Sequence, residues 1–139
     1  MYSKILVAND GSDAAFKALT TAFKLARQSD AELHMLCVAE VSYFPGSIGE
    51  VEVERERAER RLAPLIERAK KLAALQGLTL ECHLVPGHPI PTILNFARNQ
   101  GFDLLVIGFG WHSTLYNRLI GSTTDWIVEL APCAVLVVK

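Results

Sequence analysis

The chain has 139 residues, about the length of one domain, and its formal net charge is −1 at pH 7. Half of the residues are hydrophobic, as in ordinary soluble globular proteins. The charge balance gives no basic face for nucleic acid, and the apolar runs are too short to span a membrane. The N-terminus leads directly into a strand rather than a signal peptide, so we expect one cytoplasmic domain over 1–139.

Five apolar runs have the length of β-strands. The first, fourth and fifth consist almost entirely of Ile, Leu and Val, which is typical of strands covered on both faces of a parallel sheet. The second and third include polar residues, which favours positions nearer an edge. In chain order the runs are Ile5–Ala8, Leu33–Ala39, Leu78–Val85, Leu104–Ile107 and Val135–Val138.

Between the strands, apolar residues recur at helical spacing and predict four helices. Ser12 or Asp13 can cap the first helix, and Gly77 suits the end of the second. Pro64 interrupts the second pattern and predicts a kink or a fresh start near Ala63. The predicted helices are Asp13–Gln28, about Glu50 to Gln76, Pro91–Asn99 and about Ser122 to Leu130.

Strands that alternate with helices predict an α/β fold with a doubly wound parallel sheet, because parallel neighbours need a crossover connection. Ligands of such sheets bind at the carboxyl ends of the strands, where the strand order reverses. The loops at that edge are 9–12, 40–49, 86–91 and 108–121.

Asp10 directly follows the first strand. Its carboxylate can accept a hydrogen bond from a ligand at the sheet edge, or it can form an Asx turn ahead of the helix, with Gly11 and Ser12 as turn residues. Both interpretations stay open from the residues alone.

The segment from Gly108 to Ser122 is rich in glycine and follows the fourth strand. Its backbone N–H groups can surround a phosphate, and hydroxyls of Ser122, Thr123 and Thr124 stand at a predicted helix start. The segment matches neither of the established glycine-rich nucleotide motifs. A tight turn followed by a capped helix is the alternative interpretation.

Other reactive residues show no arrangement typical of a catalytic or metal site. The three cysteines form no C-x-x-C pair, and packing of buried thiols is the expected role of Cys37, Cys82 and Cys133. The histidines have no metal-type spacing, so we predict no metal site from His34, His83, His88 and His112. No Ser-His-Asp arrangement or converging carboxylate pair is visible, and we predict no catalytic residues.

Taken together, these segments resemble the universal stress protein family across essentially the whole chain. The resemblance rests on short pieces that occur in order: Lys4–Asp13 (KILVANDGSD), Val85–Pro89 (VPGHP), Asp103–Gly108 (DLLVIG), Leu119–Ser122 (LIGS) and Ala131–Val138 (APCAVLVV). It implies a five-stranded parallel sheet in the order 3-2-1-4-5 with helices on both faces, dimer formation and, in many members, ATP binding.

The resemblance also implies roles for single residues. Asp10 would meet the adenine, and Val38 at the end of the second strand would pair with it through its backbone. The family motif G-x-x-G, nine residues, then G-[ST] places its outer positions on Gly108, Gly121 and Ser122.

The second glycine of that motif falls on Trp111 in this chain. Glycine can approach a phosphate closely because it has no Cβ and readily adopts a positive φ. Tryptophan has neither property. Gly110 lies one position earlier and can take this role if the loop shifts by one residue.

The predicted ligand is ATP or a related adenine nucleotide, with or without Mg²⁺. The candidate site comprises Ala8, Asn9, Asp10, Val38, Ile107, Gly108, Gly110, Gly121, Ser122 and Thr123.

Three functions follow as hypotheses. The first is a regulatory module of the stress response that binds an adenine nucleotide. The second is a nucleotide-free dimeric interaction module in which Trp111 fills the phosphate pocket. The third is slow phosphohydrolysis assisted by Asp10. In the family order Val135–Val138 is an apolar edge strand, which must be paired or covered, so we expect a homodimer through this strand.

Overall fold

The computed structural model describes residues 1–40, 48–110 and 123–139. Strands and helices alternate throughout these ranges. The elements are β1 (Lys4–Ala8), α1 (Asp13–Ser29), β2 (Glu32–Glu40), α2 (Ile48–Leu75), β3 (Leu80–Gly87), α3 (Pro89–Asn99), β4 (Leu104–Gly108), α4 (Thr123–Leu130) and β5 (Ala134–Val138).

The five strands form one parallel sheet in the order β3-β2-β1-β4-β5, which confirms the predicted fold class and strand order. β1 is central and its residues Ile5 to Ala8 are fully buried, as its uninterrupted apolar sequence predicts. β3 and β5 are the two edge strands. The third run, β3, lies at an edge as expected, and β2 lies one strand further in, between β1 and β3, with most of its residues buried.

Two apolar cores cover the two faces of the sheet. One contains side chains of α1 and α2, such as Leu19 and Ala69, packed on Ile5 and Val7. The other contains Ile93 of α3 and Ile127 of α4 together with alternate strand residues. Because successive side chains of a strand point to opposite faces, each inner strand contributes to both cores.

Local sequence explains the ends of α1 and α3. The Ser12 hydroxyl accepts a hydrogen bond from Ala15 N (3.1 Å) and caps α1, while Asp30 ends it in the left-handed conformation (φ 51°). α3 begins at Pro89, two residues earlier than predicted, because proline at the first helical position lacks only an N–H that would be unpaired there.

Pro64 lies inside α2, which continues through it as one helix, so of the two predicted alternatives the fresh start near Ala63 does not occur and the kink stays a prediction. Buried residues on both sides of the proline, including Leu62 and Ala69, hold the two parts of the helix against the same core. That packing outweighs the loss of one backbone hydrogen bond. Within the described ranges, no helix combines the length and the apolar character needed to cross a membrane.

Candidate functional site

At the carboxyl end of the sheet β1 stops before its neighbours, and we call the gap that this leaves between β2 and β4 the crevice. The pairing of β1 ends at Ala8↔Leu36 on the β2 side and at Val7↔Val106 on the β4 side. β2 and β4 run further, and α1 then leads from β1 to one face of the sheet while α4 follows β4 on the other face. This is the topological switch point at which parallel α/β sheets bind their ligands.

Asn9 directly follows β1 at the crevice and is fully buried. Its backbone N–H donates to the Leu36 carbonyl (3.0 Å) and extends the β1–β2 pairing by one bond. Its side-chain Nδ2 donates to the Met35 sulfur (3.4 Å), and its Oδ1 accepts from Gly11 N (2.8 Å). The Asn9 side chain is therefore engaged within the protein and shapes the turn after β1.

Asp10 stands at the mouth of the crevice and is exposed. Its Oδ1 accepts a hydrogen bond from Ser12 N (3.0 Å), so the Asx turn predicted from the sequence is present. A carboxylate has two oxygens and about four acceptor sites, so this turn leaves capacity for a ligand donor. The two interpretations of Asp10 are compatible with each other.

Val38 offers its backbone to the same space. In a β-strand the N–H and C=O of one residue point to the same side, and successive residues alternate. Because the Leu36 carbonyl accepts from the backbone N–H of Asn9, the residue after β1, the N–H and C=O of Val38 point to the same side of β2, beyond the end of β1. The Val38 side chain lies in register with Val85 of β3 and is partly buried.

Gly108 ends β4 directly against the first turn of α1. A Cβ at this position would lie 2.6 Å from the backbone carbonyl atoms of Ala14 and 2.9 Å from Ala15 N. Glycine is needed here for the close approach of helix and strand. Ala8 and Ile107 beside it are fully buried, so they contribute backbone rather than side chains to the crevice.

Gly110 adopts a positive φ of 82°, a conformation that favours glycine. It therefore has the property that Trp111 lacks at the expected motif position. Trp111, Gly121 and Ser122 lie outside the described residues.

Thr123 begins α4. The hydroxyl of the next residue, Thr124, is buried and has no hydrogen-bond partner within the described part of the chain. This hydroxyl stands at the start of a helix, where the backbone N–H groups and the helix dipole favour an anion.

The cysteines offer little nucleophilic chemistry near the crevice. All three thiols are free, and Cys37 packs in the core shared with α1 and α2. Burial, with Cys82 and Asp10 as nearby negative groups, raises the pKa of Cys37 to about 12. Burial also raises the pKa of the Cys82 and Cys133 thiols. A protonated thiol is a weak nucleophile and metal ligand, in keeping with the packing role predicted from the sequence.

The structure brings together one group of possible ligand side chains that the spacing of residues along the sequence does not predict. His34, Glu81 and His83 place ligand atoms within 4.8 Å of one another at the amino ends of β2 and β3. The pKa of His83 is lowered, mainly by burial and secondly by the adjacent His34. The repeated pattern Glu-x-His in Glu32–His34 and Glu81–His83 was the available signal.

Comparison with known proteins agrees with the geometry. The family model "Universal stress protein family" matches residues 1–139. A universal stress protein of Bacillus subtilis is 33% identical over 150 residues, which cover all of this chain and all of that protein. A solved universal stress protein from Lactobacillus plantarum has 29% identity and a TM-score of 0.82, with 99% of this chain and 98% of that chain covered.

A second solved structure is a universal stress protein in complex with cAMP. It is 25% identical to this chain, with a TM-score of 0.78, and the match covers 99% of this chain and 97% of that one. The strand order, the crevice beside β1 and the match over the full length point to the same assignment. The chain therefore belongs to the universal stress protein family.

Proposed function

We propose that the protein is a regulatory module that binds an adenine nucleotide in the crevice beside β1. The observation that carries the proposal is the gap in the sheet past Ala8, into which the Val38 backbone groups point and at whose mouth Asp10 is exposed. Adenine is a planar base with neighbouring donor and acceptor atoms, and these can pair with the C=O and N–H of Val38. The related protein solved with cAMP supports this ligand class.

In this proposal different groups of the crevice bind the base and the phosphates of the nucleotide. The base pairs with the Val38 backbone and donates its amino group to the Asp10 carboxylate. The phosphates lie near Gly108 and Gly110, with Gly121 and Ser122 completing the site. Mg²⁺ would neutralise part of the phosphate charge if ATP is the ligand. The expected cytoplasmic location stays a prediction.

Calorimetric titration of nucleotide-free protein with ATP, ADP, AMP and cAMP tests the proposal. We expect one nucleotide per chain. Mass spectrometry of small molecules released on denaturation would identify a ligand that remains bound during purification. No heat with any of the four nucleotides at about millimolar concentration, together with no released nucleotide, would overturn the proposal.

Asp10→Asn examines the base contact, because asparagine keeps an oxygen for the Asx turn but replaces the second acceptor with a donor. A lost hydrogen bond to a charged group costs about 1.5–3 kcal/mol, so affinity should fall by about tenfold or more. Asp13→Asn is the matched control, since Asp13 is an exposed aspartate in the first turn of α1. Equal affinities in the two variants would remove Asp10 from the site.

Trp111→Gly distinguishes the nucleotide-free alternative. If Trp111 fills the phosphate pocket, this substitution should create or greatly strengthen ATP binding in a protein that otherwise binds none. If the proposal is right, the wild-type protein already binds. Nucleotide binding by the wild-type protein would therefore contradict the nucleotide-free interaction module. Slow hydrolysis is tested separately: if the wild-type protein releases no more phosphate from ATP than Asp10→Asn does, that hypothesis is wrong.

We also propose a homodimer through the β5 edge. Phe109 N donates to the Val138 carbonyl (2.8 Å), so by alternation the N–H of Val137 points away from β4. Val137→Pro removes this outward donor without removing a β4–β5 bond, and edge positions tolerate proline. Sedimentation should show dimers for wild type and Val137→Thr and monomers for Val137→Pro. A monomeric wild type at tens of micromolar would refute the dimer.

A further inference from the structure

Four side chains gather at the amino end of the sheet, opposite the nucleotide crevice. Glu32 and His34 share one face of β2, and Glu81 and His83 share the same face of β3, because side chains two residues apart lie on one side of a strand. The parallel register His34↔Glu81 brings the two pairs together. These four residues are referred to below as the two-histidine cluster.

The contacts within the two-histidine cluster are short. His34 Nδ1 lies 2.9 Å from His83 Nε2 and 3.5 Å from a Glu81 carboxylate oxygen. On the other side of the ring, His34 Nε2 lies 3.3 Å from a Glu32 carboxylate oxygen. His34 is buried, so these groups compete with little water.

The hydrogen bonds determine where the imidazole hydrogens lie. An ionised Glu32 only accepts, so His34 Nε2 must carry a hydrogen. In its neutral form the His34 ring then has a lone pair at Nδ1, which can accept from His83 Nε2–H. This leaves the Glu81 oxygen and His34 Nδ1 facing each other 3.5 Å apart as two acceptors. In this form the cluster has more acceptors than hydrogens, and a cation would satisfy the surplus.

Aromatic rings pack against the two-histidine cluster on one side, and acidic residues line a cleft on the other. The Phe102 ring lies edge-on to His34 with centroids 5.0 Å apart, and the Phe96 ring packs against His83 at 4.9 Å. On the open side lies a cleft of about 400 Å³. Its acidic lining residues are Asp30, Glu32 and Glu81. A cation can therefore enter from water past the carboxylates and reach His34, which lines the cleft.

We propose that the two-histidine cluster binds a divalent transition-metal ion of the zinc type. His34 Nδ1, His83 Nε2 and the Glu81 carboxylate are the ligands, and water takes the fourth position. Two imidazoles and one carboxylate suit Zn²⁺, whereas Mg²⁺ and Ca²⁺ prefer oxygen ligands alone. Glu32 is a positioning residue, because a carboxylate on the outer nitrogen of a metal-binding histidine fixes its tautomer and orientation.

Binding requires a small rearrangement. Ligand atoms around a tetrahedral Zn²⁺ lie roughly 3.3–3.5 Å apart, since each metal–ligand distance is about 2.0–2.2 Å. The separation of His34 Nδ1 from Glu81 already fits at 3.5 Å. His83 must turn so that both imidazole lone pairs face the ion, and its hydrogen moves from Nε2 to Nδ1. His83 has room to turn because it is only partly buried on an edge strand.

The proposed site is separate from the other metal-binding candidates of the two strands. Cys82 lies between Glu81 and His83 but points to the opposite face, where it packs on the core shared by α1 and α2. His88 lies beyond the other end of β3, at the N-cap position of α3, where its side chain makes no capping hydrogen bond. Metal binding at the two-histidine cluster and nucleotide binding in the crevice can therefore succeed or fail independently.

Calorimetric titration of tag-free, full-length protein with ZnCl₂ tests the site. We expect one Zn²⁺ per chain, with a dissociation constant at micromolar level or below, and a raised midpoint of thermal unfolding because the ion binds the folded chain. Co²⁺ in place of Zn²⁺ should give the strong visible absorption of a tetrahedral site. Mg²⁺ should not compete.

Variants identify the ligands. His83→Gln and Glu81→Gln should weaken Zn²⁺ binding more than about 100-fold, and Glu32→Gln by about 10- to 100-fold, as expected for an outer partner. His88→Gln and Glu129→Gln repeat the same substitutions elsewhere and should bind like wild type. Circular dichroism of each variant establishes that a loss of binding is not a loss of fold.

Three outcomes would overturn the proposal. One is the absence of heat at about 100 μM Zn²⁺, which would mean that the two-histidine cluster holds only its shared hydrogen. Another is unchanged affinity in His83→Gln, which would place the ion elsewhere. The third is an equal loss in His88→Gln.

Discussion

The two ends of the sheet differ in the groups that form their candidate sites, which are backbone groups at one end and side chains at the other. At the carboxyl end the crevice is formed mainly by backbone: Val38 turns its amide groups into the gap, Gly108 lets α1 approach, and Gly110 takes a positive φ. At the amino end, the two-histidine cluster is formed by side chains of two adjacent strands. β2 contributes to both ends.

The difference determines what a sequence can reveal. A site made from backbone needs glycine at fixed positions of one loop, and such spacing is visible along the chain. A site made from side chains of neighbouring strands depends on the strand register. His34 and His83 are 49 positions apart, and only the pairing of β2 with β3 brings them within 2.9 Å.

The largest expected effect is at Gly108. If the carboxyl end depends on close backbone approach, Gly108→Ala must displace α1 or β4, because its Cβ would meet Ala14 backbone atoms at 2.6 Å. We expect a loss of about 3 kcal/mol in the free energy of unfolding, the upper part of the range for overpacking. Urea denaturation measures it.

Gly77→Ala is the comparison at the amino end. A Cβ there meets no atom within 4 Å, and only the positive φ of 69° opposes it. The left-handed conformation costs a non-glycine residue about 1 kcal/mol. Equal losses in the two variants would mean that crowding at Gly108 is relieved by a small shift and is not a constraint on the crevice.

The sequence predicts the sheet well because its strands are strongly apolar and the helical stripes between them are regular. β2 lies next to the edge strand β3, in keeping with a second run that includes polar residues. Two polar residues of this strand are Glu32 and His34. They are polar because they belong to the two-histidine cluster, while Met35 and Cys37 of the same strand are fully buried.

The candidate site was predicted only in part. The position of Gly108 was identified from motif spacing, but the structure adds a packing reason for glycine that no spacing shows. The sequence places Asn9 among the candidate site residues, and the structure adds that its side chain bonds to Met35 and Gly11. Such contacts depend on where β2 lies relative to the turn after β1, which a single sequence does not specify.

Asn9 provides the second prediction, of intermediate size. Asn9→Ala removes the acceptor of Gly11 N and the donor to Met35 at a fully buried position. We expect the free energy of unfolding to fall by about 2 kcal/mol. Asn95→Ala on the exposed face of α3 is the matched control and should cost less than about 0.5 kcal/mol. Similar values for both would show that the turn after β1 does not rely on the Asn9 side chain.

The third prediction concerns Asp103, which joins the amino ends of β1 and β4. Its Oδ2 accepts from Ser3 N (2.8 Å) and Ser3 Oγ (3.0 Å), and its Oδ1 accepts from Lys4 N (3.0 Å). Slight burial alone would raise the pKa of Asp103, but these hydrogen bonds outweigh it and lower the pKa. A lowered folded-state pKa contributes stability above the unfolded-state pKa, and this contribution is lost as the pH falls through the folded value.

Asp103→Asn should lower the free energy of unfolding at pH 7 by about 1 kcal/mol, because its amino group must face one of the two backbone donors. The difference from wild type should shrink as the pH falls below about 4, where the wild-type carboxylate also gains a proton. Ser3→Ala removes one of the three donors and should show a smaller loss. Urea denaturation between neutral and acidic pH measures both. A difference that is the same at every pH would mean that the carboxylate charge has no part in joining the two strands, and that the amino end is held by backbone pairing alone.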